Sequence, residues 1–396
     1  MATTTDIPLP KHKREVIDRA VIRFAGDSGD GMQVTGSQFT NTVALYGNDI
    51  ATFPDFPAEI RAPAGTLPGV SGYQLHFSSN EIYTPGDAVD VLIVMNPAAL
   101  KMNIADLKAN GILIVNSDAF AETDLRKAQM SSNPLEDHSL DKFRLFSVEL
   151  ERLTKVALDH LGLDAKSVSR SKNFFALGMC YWLYNRSMDS TVRWIEDKFS
   201  KKPLLVEANK LAMKAGYSYC EATEAFQISY EIPPAKLEPG LYRNMSGNQA
   251  LALGFITASQ KSGLKLFQGS YPITPASDIL HELSQLCTRI GIIEAGKLVL
   301  DGHLDTLRTH HRALTRPVKL QVLPEDVERA MQILTPLEGV TSIVPQEPYL
   351  LVASEQPNRN FVLAALLKND IRILQFVEDE PSLEEIFMQS TAGKVT

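Results

Sequence analysis

The first residues whose types and spacing could do chemistry are Gly26-Asp27-Ser28-Gly29-Asp30-Gly31. They follow a short apolar run and precede a stretch of helical spacing, the position at which phosphate-binding loops occur. Glycines let a ligand approach the backbone, and the start of a helix offers unpaired N–H groups. The spacing is G-x-x-G-x-G and departs from the dinucleotide pattern G-x-G-x-x-G. Gly31-x4-Gly36-Ser37 has the outline of a nucleotide-binding loop but lacks its lysine. Asp27 and Asp30 also put negative charge where a phosphate would rest, unless one of them caps the helix. The residues alone leave two readings open, an anionic-ligand site and a tight structural turn. A nucleotide-hydrolysing site is not among them. Further along, Tyr271-Pro272-Ile273-Thr274-Pro275 holds a hydroxyl between two prolines; on residues alone, Thr274 reads as a turn residue.

Composition narrows the classes. The chain has 396 residues, enough for two or three domains with real cores. Hydrophobic content of 44% and charged content of 22% are ordinary for globular proteins. A net charge of −8 leaves no basic excess to neutralise phosphates, so no nucleic-acid partner is expected. Cys180, Cys220 and Cys287 stand far apart and form no CxxC pair, so the chain by itself is expected to hold no iron–sulfur cluster or structural zinc. They read as buried, reduced thiols. The first twenty residues carry no apolar run of signal-peptide length, and no stretch approaches membrane-spanning length. A cytoplasmic protein with no membrane contact is the expectation.

The elements that must position these residues alternate between strand and helix. Residues 20–25 (AVIRFA) read as a strand and residues 33–46 as a helix. Residues 91–96 (VLIVMN) and 112–117 (ILIVNS) are continuous apolar runs, as in strands buried on both faces. Parallel α/β is the natural class. Residues 54–72, PDFPAEIRAPAGTLPGVSG, break both periodicities and read as an ordered loop. Residues 172–182 and 190–214 look helical, and the proline-rich residues 232–240 read as a linker. A second α/β unit opens with a helix over 248–262 and a strand over 264–268. After residue 286 the texture changes. Residues 290–294 and 297–300 flank Ala295-Gly296 as a hairpin. Residues 319–377 then give strand, helix, strand, strand, helix, strand, a ferredoxin-like βαββαβ order. A last helix over 382–389 opens with a capping box.

Two long motifs, RFAGDSGDGMQVTGSQFT (residues 23–40) and PDFPAEIRAPAGTLPGVSGYQ (residues 54–74), resemble the gamma domain of 2-oxoacid:ferredoxin oxidoreductases. The version they most resemble is fused in front of the alpha subunit in 2-oxoglutarate-type enzymes. The likeness continues through Lys172-Asn173, Leu177-Gly178, Gly247-Asn248-Gln249-Ala250 and Tyr271–Pro275, covering residues 1–286. The resemblance implies a Rossmann-like gamma domain over 1–230, a linker over 231–246 and a truncated thiamine-associated domain over 247–286. It also implies coenzyme A as substrate, with Gly26, Ser28, Gly29 and Gly31 lining an anion site and Arg61 on the facing loop. For Arg61 an interdomain or subunit salt bridge is an equal alternative. Thr274 would touch the 2-oxoacid near its reacting carbon, where a hydroxyl donor steadies developing negative charge. In this family thiamine diphosphate supplies the chemistry, and electrons pass through iron–sulfur clusters to ferredoxin. Both groups are expected with a separate beta subunit.

From residue 285, QLCTRIGIIEAGKLVLDGHLDTL resembles the later part of ABC-transporter ATP-binding subunits, as does the terminal PSLEEIFMQST. Residues 287–316 would be a remnant of the ATPase domain, and residues 317–396 a small ferredoxin-like α+β accessory domain. No Walker A lysine motif and no LSGGQ-like signature occurs in the chain. His281 belongs to SDILHELS and reads as a helix-surface residue. The activating glutamate of the thiamine-associated domain would lie beyond the join. The sequence therefore reads as an oxidoreductase subunit, catalytically incomplete as written. The alternatives are a fragment of an ABC ATP-binding protein and a non-catalytic module that binds coenzyme A or another anion.

Overall fold

The computed structural model describes residues 13–57, 62–200, 202–223, 226–271, 276–284, 286–303, 317–346, 349–356 and 358–377. Two compact units divide the chain, Met1–Asn244 and Met245–Thr396.

In the first unit β1 (Lys13–Val16) leads into β2 (Arg19–Asp27), α1 (Met32–Tyr46), β3 (Asp49–Asp55) and β4 (Val70–Ser78). Three strand–helix steps follow: β5 (Val89–Val94) with α2 (Pro97–Asn103), β6 (Leu107–Asn116) with α3 (Glu122–Lys127), and β7 (Arg144–Val148) with α4 (Leu150–Leu158). Then come α5 (Ala165–Arg170), α6 (Lys172–Leu183), α7 (Asp189–Lys198), α8 (Pro203–Ala222) and β8 (Ile228–Glu231), which pairs in parallel with β1.

The six-stranded sheet runs β3-β4-β2-β5-β6-β7. β2, β5, β6 and β7 are parallel, whereas β4 is antiparallel to both β2 and β3. The expected parallel sheet is thus a mixed one. Residues 54–72 are a loop only between their ends, because Asp55 closes β3 and Val70 opens β4. Polar residues hide β4 in the sequence. Ser71, Gln74, His76 and Ser78 are all buried, and Gln74 accepts from Arg23 Nε (2.8 Å) while donating to the Pro85 carbonyl (2.7 Å).

Alternation along the central strands builds two cores. Ile22, Phe24, Val91, Ile93, Ile112 and Ile114 pack with residues of α1, α6 and α8. Val21, Leu92, Val94, Leu113 and Val115 pack on the other face with Ala98, Ala99 and Leu125 of α2 and α3. Both faces are covered, which explains the continuous apolar runs. Every residue of α6 is buried. Its neighbour α8 approaches so closely that a Cβ on Gly178 would collide with the Met213 carbonyl, and one on Gly216 with the Phe175 carbonyl. The single helix expected over 190–214 is broken into α7 and α8. Pro203 restricts the residue before it and opens a new helix at its first position.

At the far end of α1, the buried Arg186 guanidinium donates to Asn48 Oδ1 and the Ile232 carbonyl (both 2.8 Å) and lies over the Tyr46 ring. Burial lowers its pKa. Ile232 is fully buried, and Ala235 N–H donates to the Gly47 carbonyl (2.8 Å), so the proline-rich stretch begins packed against α1.

The second unit opens with α9 (Gly247–Ser262) and α10 (Ser277–Ser284), followed by the antiparallel hairpin of β9 (Arg289–Glu294) and β10 (Lys297–His303). Ala295 and Gly296 turn it in the left-handed region, φ 48° and 74°. β11 (Val318–Val322), α11 (Val327–Leu334), β12 (Val340–Gln346), β13 (Tyr349–Ser354), α12 (Asn360–Lys368) and β14 (Ile373–Val377) form an antiparallel sheet, order β12-β13-β11-β14. Leu320, Val352, Val362 and Leu366 form its core. The strand expected over 264–268 is absent. Those residues are exposed and outside any ladder, because no strand among the described residues lies beside them. The helix expected over 382–389 lies outside the described residues. His281 is exposed on α10, as read from the sequence.

Gly178→Ala and Gly216→Ala should each cost about 2–3 kcal/mol in urea unfolding, because backbone rather than side chain must give way. Gly254→Ala, where nothing lies within 4 Å of an added methyl and helix propensity favours alanine, should show no such loss.

Candidate functional site

β2 ends at Gly26-Asp27, at the carboxyl ends of the parallel strands, where open α/β sheets hold ligands. A side chain on Gly26 would meet the Asp30 carboxylate at 2.8 Å and Met95 Cβ at 3.1 Å, so glycine is required by crowding. The turn closes on itself. Asp30 N–H donates to the Asp27 carbonyl (2.9 Å), and Asp30 Oδ2 accepts from Asp27 N–H (2.8 Å). Asp27 Oδ2 accepts from Gly65 N–H (2.8 Å), tying the facing loop down. Neither aspartate caps α1. Gly31 stands at its start in the left-handed conformation, φ 75°, with no side-chain cap, and a Cβ there would strike the Asn173 amide.

Lys172, the first residue of α6, organises the region. Its Nζ lies 3.1 Å from Asp30 Oδ1 and 2.9 Å from Glu151 Oε1, with the lysine and Asp30 side chains 11% and 15% exposed. Burial alone would lower the ammonium's pKa; the charges of Asp30 and Glu151 outweigh it and raise it. Asp118 Oδ2 accepts from the N–H groups of Glu151 and Arg152 (2.9 and 3.0 Å) and so caps α4 from outside the helix. Asp27 has a raised pKa, first from burial and then from Asp30, against Gly65 N–H, Asn96 and Lys172. The buried Oδ1 atoms of Asn116 and Asn173 have no partner among the described residues.

The inner side of the turn is therefore acidic and internally bonded. Its outer side differs. Ser28 and Gly29 are exposed, nothing lies within 4 Å of an added methyl at Gly29, and the first N–H groups of α1 have no side-chain cap. Among the described residues, that outer side is the one free of the turn's own carboxylates. Of the residues singled out in the sequence, Gly26, Ser28, Gly29 and Gly31 come together here. Arg61 and Thr274 lie outside the described residues. Sequence reasoning quoted Lys172 without giving it a role. The signal was a lysine opening an otherwise apolar helix, an end that disfavours cations unless carboxylates meet them.

Cys180 and Cys220 are buried thiols whose pKa burial pushes up. Cys287 is only half-buried, its sulfur 3.4 Å from the Ser284 carbonyl, so the expectation of three buried thiols fails there. Among the described residues, no three or more His, Cys, Asp or Glu side chains are grouped to hold a metal ion, and no helix is long and apolar enough to cross a membrane.

Residues 21–219 match the family described as pyruvate ferredoxin/flavodoxin oxidoreductase, and residues 302–391 match the ATP-binding protein DrrA1-3-like C-terminal domain. The 2-oxoglutarate oxidoreductase subunit KorA of Mycobacterium tuberculosis is 54% identical over 272 residues, covering 69% of this chain and 42% of that protein. A 2-oxoacid:ferredoxin oxidoreductase subunit alpha of Sulfolobus is 25% identical, covering 64% of this chain and 40% of that protein. Among solved structures, 2-oxoglutarate:ferredoxin oxidoreductase from Magnetococcus marinus, with 2-oxoglutarate, coenzyme A and succinyl-CoA bound, is 25% identical. Its TM-score is 0.49, covering 68% of this chain and 41% of that one. The chain thus spans about two-fifths of the length of the curated relatives, 42% and 40%.

Two substitutions test the electrostatics. Lys172→Met leaves Asp30 and Glu151 facing each other and should cost roughly 3 kcal/mol at neutral pH. Because the folded lysine pKa is raised, that contribution is complete below the unfolded value near ~10.4 and fades as pH climbs through the folded one. The gap between wild type and variant should therefore shrink at strongly alkaline pH. Asp27 behaves in the opposite sense to a salt-bridged carboxylate. Its folded pKa is raised, so its favourable contribution is complete below the unfolded value near ~3.9 and is lost as pH rises through the folded one. Asp27→Asn should unfold at higher urea than wild type at pH ~7, the difference closing in acid.

Proposed function

The chain belongs to the pyruvate ferredoxin/flavodoxin oxidoreductase family, and on that premise we propose that it is a 2-oxoacid:ferredoxin oxidoreductase subunit, of the kind that acts on 2-oxoglutarate. Its first unit takes a phosphate-bearing substrate, coenzyme A, at the glycine turn. One observation carries this. Ser28 and Gly29 stand exposed beside the uncapped start of α1, on the one side of the turn that its own carboxylates leave open. The Ser28 hydroxyl, the Gly29 N–H and the first amides of α1 bind the phosphate, and Arg61 closes on it from the facing loop. Thr274 contacts the 2-oxoacid beside its reacting carbon.

Thiamine diphosphate, which supplies the carbon nucleophile when bound, and the iron–sulfur cluster that passes electrons to ferredoxin belong on this reading to the beta subunit. Cys180 and Cys220 are packed in the core and unable to gather round a cluster. The thiamine-associated segment, residues 247–286, is followed by residues that match another family, so the activating glutamate lies outside it. The chain is accordingly a binding subunit short of a complete active site, working in the cytoplasm. The βαββαβ order and the strand order β12-β13-β11-β14 support a ferredoxin-like reading of the last domain. With no Walker lysine motif in the sequence, nucleotide hydrolysis forms no part of the proposal.

Calorimetry on the full chain should show coenzyme A binding that Ser28→Glu abolishes and Gly29→Glu weakens, both at exposed positions where folding is unaffected. No heat at millimolar coenzyme A would remove the site. Mixed with a beta subunit, the chain should give little 2-oxoglutarate-dependent viologen reduction, and robust turnover would overturn the claim of incompleteness.

A further inference from the structure

The glycine turn rests on an unbalanced set of buried charges. Asp30 and Glu151 share the Lys172 ammonium at 3.1 and 2.9 Å, so the nearest cation is already held between two carboxylates. Asp27 adds a third. Its Oδ2 accepts from Gly65 N–H (2.8 Å), whereas its Oδ1 is buried with no hydrogen-bond partner among the described residues. The charged groups that face Asp27 are Asp30 from its own turn and Lys172 from α6. Glu151 of α4 reaches it only through that lysine. The start of α2 contributes the uncharged Asn96, and the facing loop contributes the Gly65 amide. Lys127 of α3 lays its stem against Gly65, but its Nζ is held by Asp124 (2.8 Å). Arg61 lies outside the described residues. Burial and the Asp30 charge already favour the neutral form of Asp27.

We propose that binding of a phosphate group on the outer side of the turn is coupled to the uptake of one proton by Asp27. The coupling rests on the phosphate site proposed above at Ser28 and Gly29. Ser28 follows Asp27 directly, and consecutive Cα atoms are ~3.8 Å apart, so a phosphate there stands on the order of 7 Å from the Asp27 carboxylate. At the effective dielectric near a protein surface, two like charges at that separation weaken binding on the order of tenfold. Lys172 cannot answer the new charge without leaving Asp30 or Glu151. A proton on Asp27 removes the repulsion, and Oδ1 is the atom that takes it. The Gly65 hydrogen bond to Oδ2 is then kept, so the facing loop stays tied while the charge disappears. One proton passes from solvent to Asp27 Oδ1 for each phosphate ligand bound. Because the bound phosphate raises the carboxyl's pKa further, the complex holds more protons than the free protein. Affinity is therefore greatest below the pKa of Asp27 in the free protein. It declines as pH rises from that value to the higher one in the complex, and is flat beyond.

Calorimetry of the full chain with coenzyme A, from acid to alkaline pH and in pairs of non-phosphate buffers of different ionisation enthalpy, counts the protons. In the range where Asp27 titrates, wild type should take up about one proton more than Asp27→Asn. Taking that difference cancels the titration of the ligand's own phosphates. Asparagine keeps an oxygen for Gly65 N–H and removes the charge. The variant should therefore fold, bind about tenfold more tightly than wild type above that range, and match it at the acid end. The infrared spectrum of the complex minus that of the free protein should gain the carbonyl band of a protonated carboxyl, and the variant should lack it. Binding with equal proton uptake by the two proteins overturns the coupling and leaves the phosphate site standing. An equal Kd for both across the pH range does the same, as does a carboxyl band that persists in Asp27→Asn. No heat from either protein overturns the coupling and the site together.

Discussion

The ammonium of Lys172, held between Asp30 and Glu151, fixes where three helices begin. Asp30 precedes α1, Glu151 lies in the first turn of α4, and Lys172 opens α6. Each helix start carries partial positive charge, so three of them meeting would repel. The carboxylates of Asp30, Glu151 and Asp118 answer that charge, and the lysine in turn balances the carboxylates. A turn built this way cannot shift without exposing an unpaired charge in a largely buried place. That constraint holds the glycine turn in the shape seen here.

The lysine can hold that place only because α6 cannot move. Gly178 and Gly216 let α6 and α8 touch backbone to backbone, and every residue of α6 is enclosed. On the other side, Gln33 Nε2 donates to the Asp55 and Gly72 carbonyls (3.1 and 2.7 Å), locking α1 across the ends of β3 and β4. Gly36 admits the Tyr73 ring, whose hydroxyl pairs with Thr40 Oγ1 (3.2 Å). Much of the long motif that identifies the family is thus architecture. Gly26, Asp27, Asp30, Gly31, Gln33, Gly36 and Thr40 each have a packing or hydrogen-bonding task. Ser28 and Gly29 have none that the fold explains, and they are the exposed pair on the outer side of the turn.

The legible parts of the sequence were those governed by local or periodic rules. The central strands, α1, α6, the 289–303 hairpin and the last βαββαβ order all announce themselves through apolar runs, helical spacing and turn residues. β4 did not, because its inward residues include Ser71, Gln74 and His76, whose partners Asp55, Arg23 and Thr84 all lie outside the strand. The break between α7 and α8 was signalled by Pro203 but masked by continuous helical spacing. At the site, the glycines were legible and the tasks of the aspartates were not. Asp27 finds Gly65 and Asp30 finds Lys172, contacts that only the folded sheet brings together.

The strand expected over 264–268 failed for an opposite reason. Its local pattern was right, but a strand is stable only beside another strand, and β-pairing is a property of neighbours rather than of a segment. The contrast within the second unit makes the point. β11 to β14 contain both the strands and the helices needed to enclose Leu320, Val352, Val362 and Leu366, and they close a core. Residues 247–271 carry equally apolar side chains with α10 alone described beside them, and leave Leu264 and Phe267 in water. Sequence identity to a family is retained residue by residue, whereas a core is retained only as a whole. A segment can therefore keep every mark of its family and still lack the partners that made those residues apolar.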